Sequence, residues 1–221
     1  MTFSNEWNQI YKGNKHLSIW PWSDLVSYVK RYCRELSPSS NVLELGCGAG
    51  ANIPFFLSLP VNYYGIDGSE VIIRMLKRKF PKIKNNLTVA DFTKDIPFSH
   101  KYDLVVDRAS LTHNSTHAIR NALKIIKDKI IPGGKYIGID WFSTKHSDFR
   151  KGWATDDPFT KKDYVNGQFA CTGNVHFSDI EHLIELFEGF EIEVMELKVV
   201  NRLIPKDKFK FAAWNFVAKK I

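Results

Sequence analysis

The sequence predicts an α/β fold: a three-layer, doubly wound sheet of five parallel strands closed by an antiparallel C-terminal hairpin. Short apolar runs alternate with helical patterns from residue 24 to about 141, as expected when helices cover both faces of a parallel sheet. Two long alternating segments then follow one another with only a short connection containing Pro205, so they pair antiparallel. Between the first strand and its helix lies a loop, GCGAG, of a kind that brings bare backbone to a ligand.

Each element has its own warrant. Residues 24–36 place Leu25, Tyr28, Val29 and Tyr32 on one helical face. Residues 41–45 form a first strand and 61–66 a second, with a helix over 51–59 directly behind the glycines. A helix over 70–80 turns Val71, Ile72, Met75 and Leu76 inward. Residues 87–90 and 104–106 are the third and fourth strands. The helix over 118–129 ends at Pro132-Gly133-Gly134, and 136–141 make the fifth strand. Residues 142–177 carry Gly, Lys, Asp and aromatics with little periodicity, over a length unusual for a plain connection. Ser178-Asp179-Ile180-Glu181 opens a last helix with capping-box logic, running to about Phe187. The hairpin strands span 190–200 and 209–219.

Composition narrows the classes. The chain has 221 residues, 44% apolar and 25% charged, which fits one globular domain. No apolar run reaches the roughly 18 residues that span a bilayer, and the first residues lack a signal pattern, so a cytoplasmic protein is expected. Cys33, Cys47 and Cys171 have no metal-type spacing, and no metal is expected. The net charge of +7 is mildly basic. Its densest run, Lys77-Arg78-Lys79 with Lys82 and Lys84, reads as a solvated helix end.

Gly46, Gly48 and Ala51 satisfy the relaxed dinucleotide pattern G-x-G-x-x-G/A, which alone is also met by a plain tight turn. Asp67 ends the second strand, where a carboxylate accepts both hydroxyls of a ribose. It would otherwise cap the next helix, a job Ser69 already suits. Asp91 and Phe92, after the third strand, suit an adenine: a carboxylate for its amine and a ring for its face. The ligand reads as an adenosine.

Glu44-Leu45-Gly46-Cys47-Gly48-Ala49-Gly50, Asp67, Ala90-Asp91-Phe92 and Ile131-Pro132-Gly133-Gly134, in that order, resemble class I S-adenosylmethionine-dependent methyltransferases. The resemblance covers residues 41–141 and extends to the terminal hairpin. It implies the Rossmann-like strand order 3-2-1-4-5-7-6 and a cofactor, S-adenosylmethionine, released as S-adenosylhomocysteine. It also implies that Glu44, Gly46, Cys47 and Gly48 line the methionine part with Asn52 close by. Asp67 holds the ribose beside Gly68 and Ser69, Asp91 and Phe92 frame the adenine, and Asp107 lies near the sulfonium and amine. Carboxylates suit that cationic ligand, whereas a pyrophosphate would be repelled by Glu44. On this reading 1–40 form an N-terminal aromatic cap, 41–141 the cofactor core, 142–177 a substrate lid, and 178–221 the last helix and hairpin.

Candidates for the transfer itself come from VVDRASLTHN, residues 105–114, behind the fourth strand. Arg108 would hold an anionic acceptor or order its loop. His113 would take a proton near neutral pH, or be a loop histidine with local hydrogen bonds. His176 is a second base candidate. The aromatic stretch from Trp7 to Trp22 would fold over the cofactor, with Tyr11 in contact, or pack on the sheet edge. With Trp141, Phe142, Arg150, Trp153 and Tyr164 it would screen the acceptor from water.

The expected acceptor is an O or N atom of a small molecule, acidic or sugar-like, on a monomer or homodimer. The Asn/Asp-Pro-Pro-aromatic stretch and the Pro-Cys pair of DNA methylases are missing, so nucleic acid is disfavoured. An RNA methyltransferase, a nicotinamide-dependent oxidoreductase and a non-catalytic methyltransferase-like subunit are the rival readings.

Overall fold

The computed structural model describes residues 6–13 and 17–221; residues 1–5 and 14–16, part of the aromatic N-terminal stretch, lie outside the described residues. Helices α1 (Glu6–Lys12) and α2 (Ser23–Tyr32) precede the sheet. Strand β1 (Asn41–Leu45) runs between β2 (Asn62–Asp67) and β4 (Tyr102–Arg108), parallel to both. Strand β3 (Leu87–Val89) extends the sheet beyond β2, and β5 (Ile130–Phe142) lies beside β4.

A separate three-stranded sheet is built from β6 (Trp153–Ala154), β7 (Thr160–Lys162) and β8 (Val175–His176). Strands β9 (Phe190–Asn201) and β10 (Lys210–Lys220) form the hairpin, with β10 antiparallel to both β5 and β9. The main sheet therefore reads β3-β2-β1-β4-β5-β10-β9, the order the resemblance implies.

Two apolar layers confirm the three-layer build. Leu43, Leu45, Val105, Tyr136 and Phe216 face one core, under α5 (Thr116–Lys129) and α6 (Ile180–Leu186). Val42, Leu104, Val106, Ile137 and Val217 face the other, under α2 and α4 (Glu70–Lys79). Because β1 is central and parallel, both its faces are covered, and Val42, Leu43 and Leu45 are each 0% exposed.

Several local expectations change. Helix α3 (Ile53–Leu57) is shorter than 51–59, since Ala51 and Asn52 stay in the turn. Helix α4 buries Ile72, Ile73 and Leu76, with Val71 and Met75 only flanking. Helix α5 passes straight into extended backbone at Ile130, so Pro132-Gly133-Gly134 lies inside β5, where the β4–β5 register shifts. Asp179, not Ser178, caps α6, its side chain accepting the His182 N–H. Trp141 does not belong to the 142–177 segment: it is fully buried in the main core, 5.6 Å from Phe187. Trp153 is 69% exposed and Arg150 is exposed, so neither screens a site. What organises 142–177 is a small cluster of Phe142, Tyr164, Phe169, Val175 and Phe177.

Candidate functional site

At the carboxyl ends of β1, β2, β4 and β5 lies a cavity of about 410 Å³, closed on one side by α1 and Trp22 and on another by the 142–177 segment. Local geometry explains its floor. Gly46 has φ +60°, and a Cβ there would collide with the Ser110 side chain. Gly48 has φ +50°, with the Tyr11 hydroxyl 3.3 Å from where its Cβ would stand. The loop is thus glycine partly for a ligand's approach and partly because the β4 turn presses on it.

Asp107 fastens that turn. Its Oδ1 accepts the N–H groups of Ser110 (2.9 Å) and Leu111 (3.3 Å) and the Ser110 hydroxyl, while Ser110 Oγ also reaches the Leu45 carbonyl (2.9 Å). Asp107 shares a strand face with Val105, and its carboxyl sits in the core near Tyr136 and Trp141, with no exposed surface. It does not line the cavity, so its expected place beside a sulfonium is corrected: it positions the wall instead.

Two acids do line the cavity floor. Glu44 accepts from the Asn52 amide (2.8 Å) and the Tyr63 hydroxyl (2.6 Å). Asp67 accepts the Gly48 N–H (3.0 Å) and the Ser69 N–H (2.8 Å). Burial pushes the Glu44 carboxyl up to about 7 and that of Asp67 up to about 6, against the pull of these donors. Among the described residues, no Lys, Arg or His forms an ion pair with either, whereas Asp91 pairs with Lys94 at 3.5 Å. Burial and nearby Asp67 likewise hold the Tyr11 hydroxyl protonated. A cationic ligand is the partner this floor lacks.

The opposite end is aromatic. Trp7, Trp22, His113, Phe142, Phe169 and Phe211 line it, with Gln168 and Thr172. Arg108 lies under the Trp22 ring, 3.4 Å from its centroid, and pairs with Asp140 at 3.0 Å. Lys198 bridges Asp140 (2.5 Å) and Asp24 (2.6 Å). Two residues at this end, Ala109 (φ +54°) and Asp140 (φ +55°), hold left-handed backbone without being glycine, the strain that clusters at functional sites. His113 Nδ1 lies 3.2 Å from the Asn174 carbonyl, which fixes the Nδ1–H tautomer and leaves the basic lone pair on Nε2.

Of the residues singled out from sequence, Tyr11, Glu44, Gly46, Cys47, Gly48, Asn52, Asp67, Gly68, Asp91, Phe92, Arg108 and His113 meet around this one cavity. Three do not. Asp107 faces the core. Ser69 is fully buried as the cap of α4, where it accepts the Ile72 N–H. His176 is 1% exposed, bonded to Thr160 Oγ1 and Ser178 Oγ (3.2 Å each), and burial lowers its pKa to about 3. It is a neutral core histidine, not a base. Sequence reasoning missed Gln168, Phe169, Thr172 and Phe211, which sit on aperiodic or alternating stretches without a motif. Asp140 carried a signal, since it lies near the carboxyl end of β5 as Asp107 does in β4.

A glycine loop and acids at the strand ends, beneath a sheet whose last strand enters antiparallel beside β5, define an α/β protein of the S-adenosylmethionine-dependent methyltransferase fold. Residues 42–134 match a family model described as a methyltransferase domain. The chain shares its fold with solved S-adenosylmethionine-dependent methyltransferases. A solved S-adenosylmethionine-dependent methyltransferase from Methanosarcina mazei is 17% identical, with 91% of this chain and 99% of that one covered and a TM-score of 0.68. One from Clostridium acetobutylicum is 16% identical, covering 97% and 96%, at 0.64. Magnesium protoporphyrin IX methyltransferase from Synechocystis, solved with bound S-adenosylmethionine, is 14% identical, covering 90% and 77%, at 0.57. At these identities the likeness is one of fold. No curated protein sequence matches the chain.

Proposed function

We propose that this protein transfers a methyl group from S-adenosylmethionine to an O or N atom of a small acceptor held under residues 142–177. The observation that carries the reading is the cavity floor: Glu44 and Asp67 are buried, lack a basic partner among the described residues, and hold pKa values raised by that burial. A ligand with an ammonium and a sulfonium supplies that charge.

When bound, the cofactor presents a methyl on a cationic sulfur, open to displacement in line with the acceptor atom. The chain's own residues do the rest. Asp67 receives the ribose hydroxyls, Asp91 and Phe92 take the adenine, and Glu44 with the backbone at Gly46–Gly48 holds the methionyl end. Tyr11 and Trp7 close over them. His113 Nε2 receives the proton the acceptor sheds as its bond to carbon forms, a role alignment alone does not fill for a protic acceptor.

At the acceptor end the guanidinium of Arg108 is matched by Asp140, and that pair by Lys198 and Asp24. An anionic acceptor would therefore find little unspent positive charge. The aromatic wall favours instead a neutral molecule with a flat apolar face.

Calorimetry with S-adenosylhomocysteine tests the cofactor. Saturable binding, with no binding of reduced nicotinamide dinucleotide, is expected; the reverse would make the protein an oxidoreductase. Screening neutral aromatic compounds for S-adenosylhomocysteine release then identifies the acceptor. His113→Ala should lower turnover at least about 100-fold for a hydroxyl acceptor, and an unaltered pH–rate profile would remove histidine from the reaction.

A further inference from the structure

Behind the aromatic wall stands His146, 2% exposed and outside the cavity lining. Its ring centroid lies 5.4 Å from those of Phe209 and Phe211, 5.5 Å from Phe169 and 6.0 Å from Phe142. Two polar contacts determine its protonation. Nδ1 accepts the backbone N–H of Asp148 at 3.1 Å, capping the short turn Ser147–Arg150. A ring nitrogen that accepts carries no proton, so the neutral ring has its proton on Nε2. The imidazolium would aim Nδ1–H at another N–H, and burial opposes it as well, lowering the pKa to about 4.

The Asp148 backbone is not loose: its carbonyl accepts the buried Tyr164 hydroxyl at 3.0 Å, and its carboxylate pairs with Lys151 at 2.7 Å. The tautomer is therefore set by the framework of the 142–177 segment. Nε2 in turn lies 3.0 Å from the amide nitrogen of Gln168, an arrangement that the Nε2–H tautomer requires to be turned over. Two donors facing each other would repel, so the proton count assigns the amide: its oxygen meets Nε2–H, and its NH₂ is turned away from the ring. Gln168 lines the cavity and His146 does not, so the side away from the ring is the cavity side.

We infer that Gln168 is a specificity-determining residue, its amide oriented by His146 so that an N–H donor stands in the aromatic wall at the acceptor end. His146 is a positioning residue, acting only through Gln168. The favoured acceptor then carries a lone-pair atom beside its flat face: a carbonyl, an ether or a ring nitrogen. A molecule of the same shape without that atom leaves the donor unpaired, and discrimination of about tenfold follows. This inference rests on the reading that this end of the cavity holds the acceptor.

The test uses the full chain saturated with S-adenosylhomocysteine, and two probes of similar shape, acetophenone and α-methylstyrene, titrated by NMR. The ratio of their dissociation constants is compared between variants, which cancels their different hydrophobicity. Gln168→Met should reduce the preference for the carbonyl probe about tenfold, and His146→Phe, which frees the amide to turn over, about threefold. An equal ratio in wild type and Gln168→Met overturns the inference. Nitrogen-15 NMR of labelled histidine gives a second reading that needs no ligand and no variant. A proton on His146 Nε2 with a bare Nδ1 is expected at neutral pH, and a proton on Nδ1 overturns the orientation argument. If S-adenosylhomocysteine does not bind the wild type, the functional reading fails on its own, and the tautomer result still judges the histidine.

Discussion

At the glycine-loop end of the cavity, Glu44 and Asp67 are buried acids with no basic partner among the described residues. At the opposite end, Arg108, Asp140, Lys198 and Asp24 alternate in sign and cancel. The first end is made largely of backbone and leaves charge for a ligand to satisfy. The second is made of side chains, settles its own charges, and offers rings. On the proposed function, the difference means that one cavity serves two recognition problems: a fixed cationic cofactor, gripped by electrostatics, and an acceptor chosen by shape and a few polar atoms.

The largest expected effect breaks the first end outright. Gly46→Ala puts a Cβ into Ser110 and forces a residue with a side chain into φ +60°. Left-handed strain and overpacking together should cost roughly 3 kcal/mol of stability. Binding of S-adenosylhomocysteine should vanish, because Ser110 and the loop must move apart. Chemical denaturation and calorimetry on the same preparation read both. A variant that unfolds like the wild type would show that the loop has slack.

Asp67→Ala is next. The Gly48 and Ser69 N–H groups lose their acceptor, and on the proposed binding mode the ribose loses its charged partner. A loss of about 2–3 kcal/mol in S-adenosylhomocysteine affinity is expected for such charge-assisted bonds. Calorimetry finding less than a threefold change would move the ribose away from β2.

The same acids give a pH dependence of known sign. Burial in the folded protein pushes Glu44 up to about 7 and Asp67 up to about 6, both above their ordinary values. Between those ordinary values and 6–7 the folded state binds more protons than the unfolded chain. Stability from this source is therefore fully present at low pH and is lost as pH rises through 6–7. A cationic ligand prefers the ionised acids, so binding should release protons, and affinity should fall up to about tenfold per pH unit between 7 and 6 and up to about a hundredfold per unit below 6. Titrations at pH 5.5 and 8 in buffers of differing ionisation heat count those protons. Affinity that is flat over this range would mean that neither acid faces the cation.

The contrast between the two ends also explains what could be read in the sequence. The fold and the glycine-loop end were legible because local rules dictate them. Strand alternation fixes the layers, glycine is required at positive φ, and an acid closing a strand lies at the sheet's carboxyl edge. Asp107 met the same rule and still faces the core, because period-two alternation puts it on the Val105 face; the rule gives the edge but not the side. His176 was misjudged for a related reason: a two-residue strand in an aperiodic segment gives no clue that its ring points inward to Thr160 and Ser178. The aromatic end depends on pairings such as Arg108 with Asp140 and His146 with Gln168, separated by 32 and 22 residues. Only the folded chain brings such partners together, so no motif announces them.

The smallest effect separates the two ends most cleanly. Trp22 touches both: its N–H donates to Asn52 Oδ1 at 3.1 Å, toward the Glu44 side, and its ring covers Arg108 at 3.4 Å. Trp22→Ala keeps the backbone bond and removes only the ring. The loss should be about 1 kcal/mol, the worth of a partly desolvated cation–π contact. It should therefore appear as local opening rather than global unfolding, with amide exchange in residues 17–22 about fivefold faster and the denaturation midpoint nearly unmoved. Trp22→Phe, which keeps a ring face, should recover most of the protection. If exchange instead stays at the wild-type rate in Trp22→Ala, the bond to Asn52 alone holds the segment. The N-terminal cover would then belong wholly to the cofactor end, and Arg108 would be held by Asp140 with no help from the ring above it.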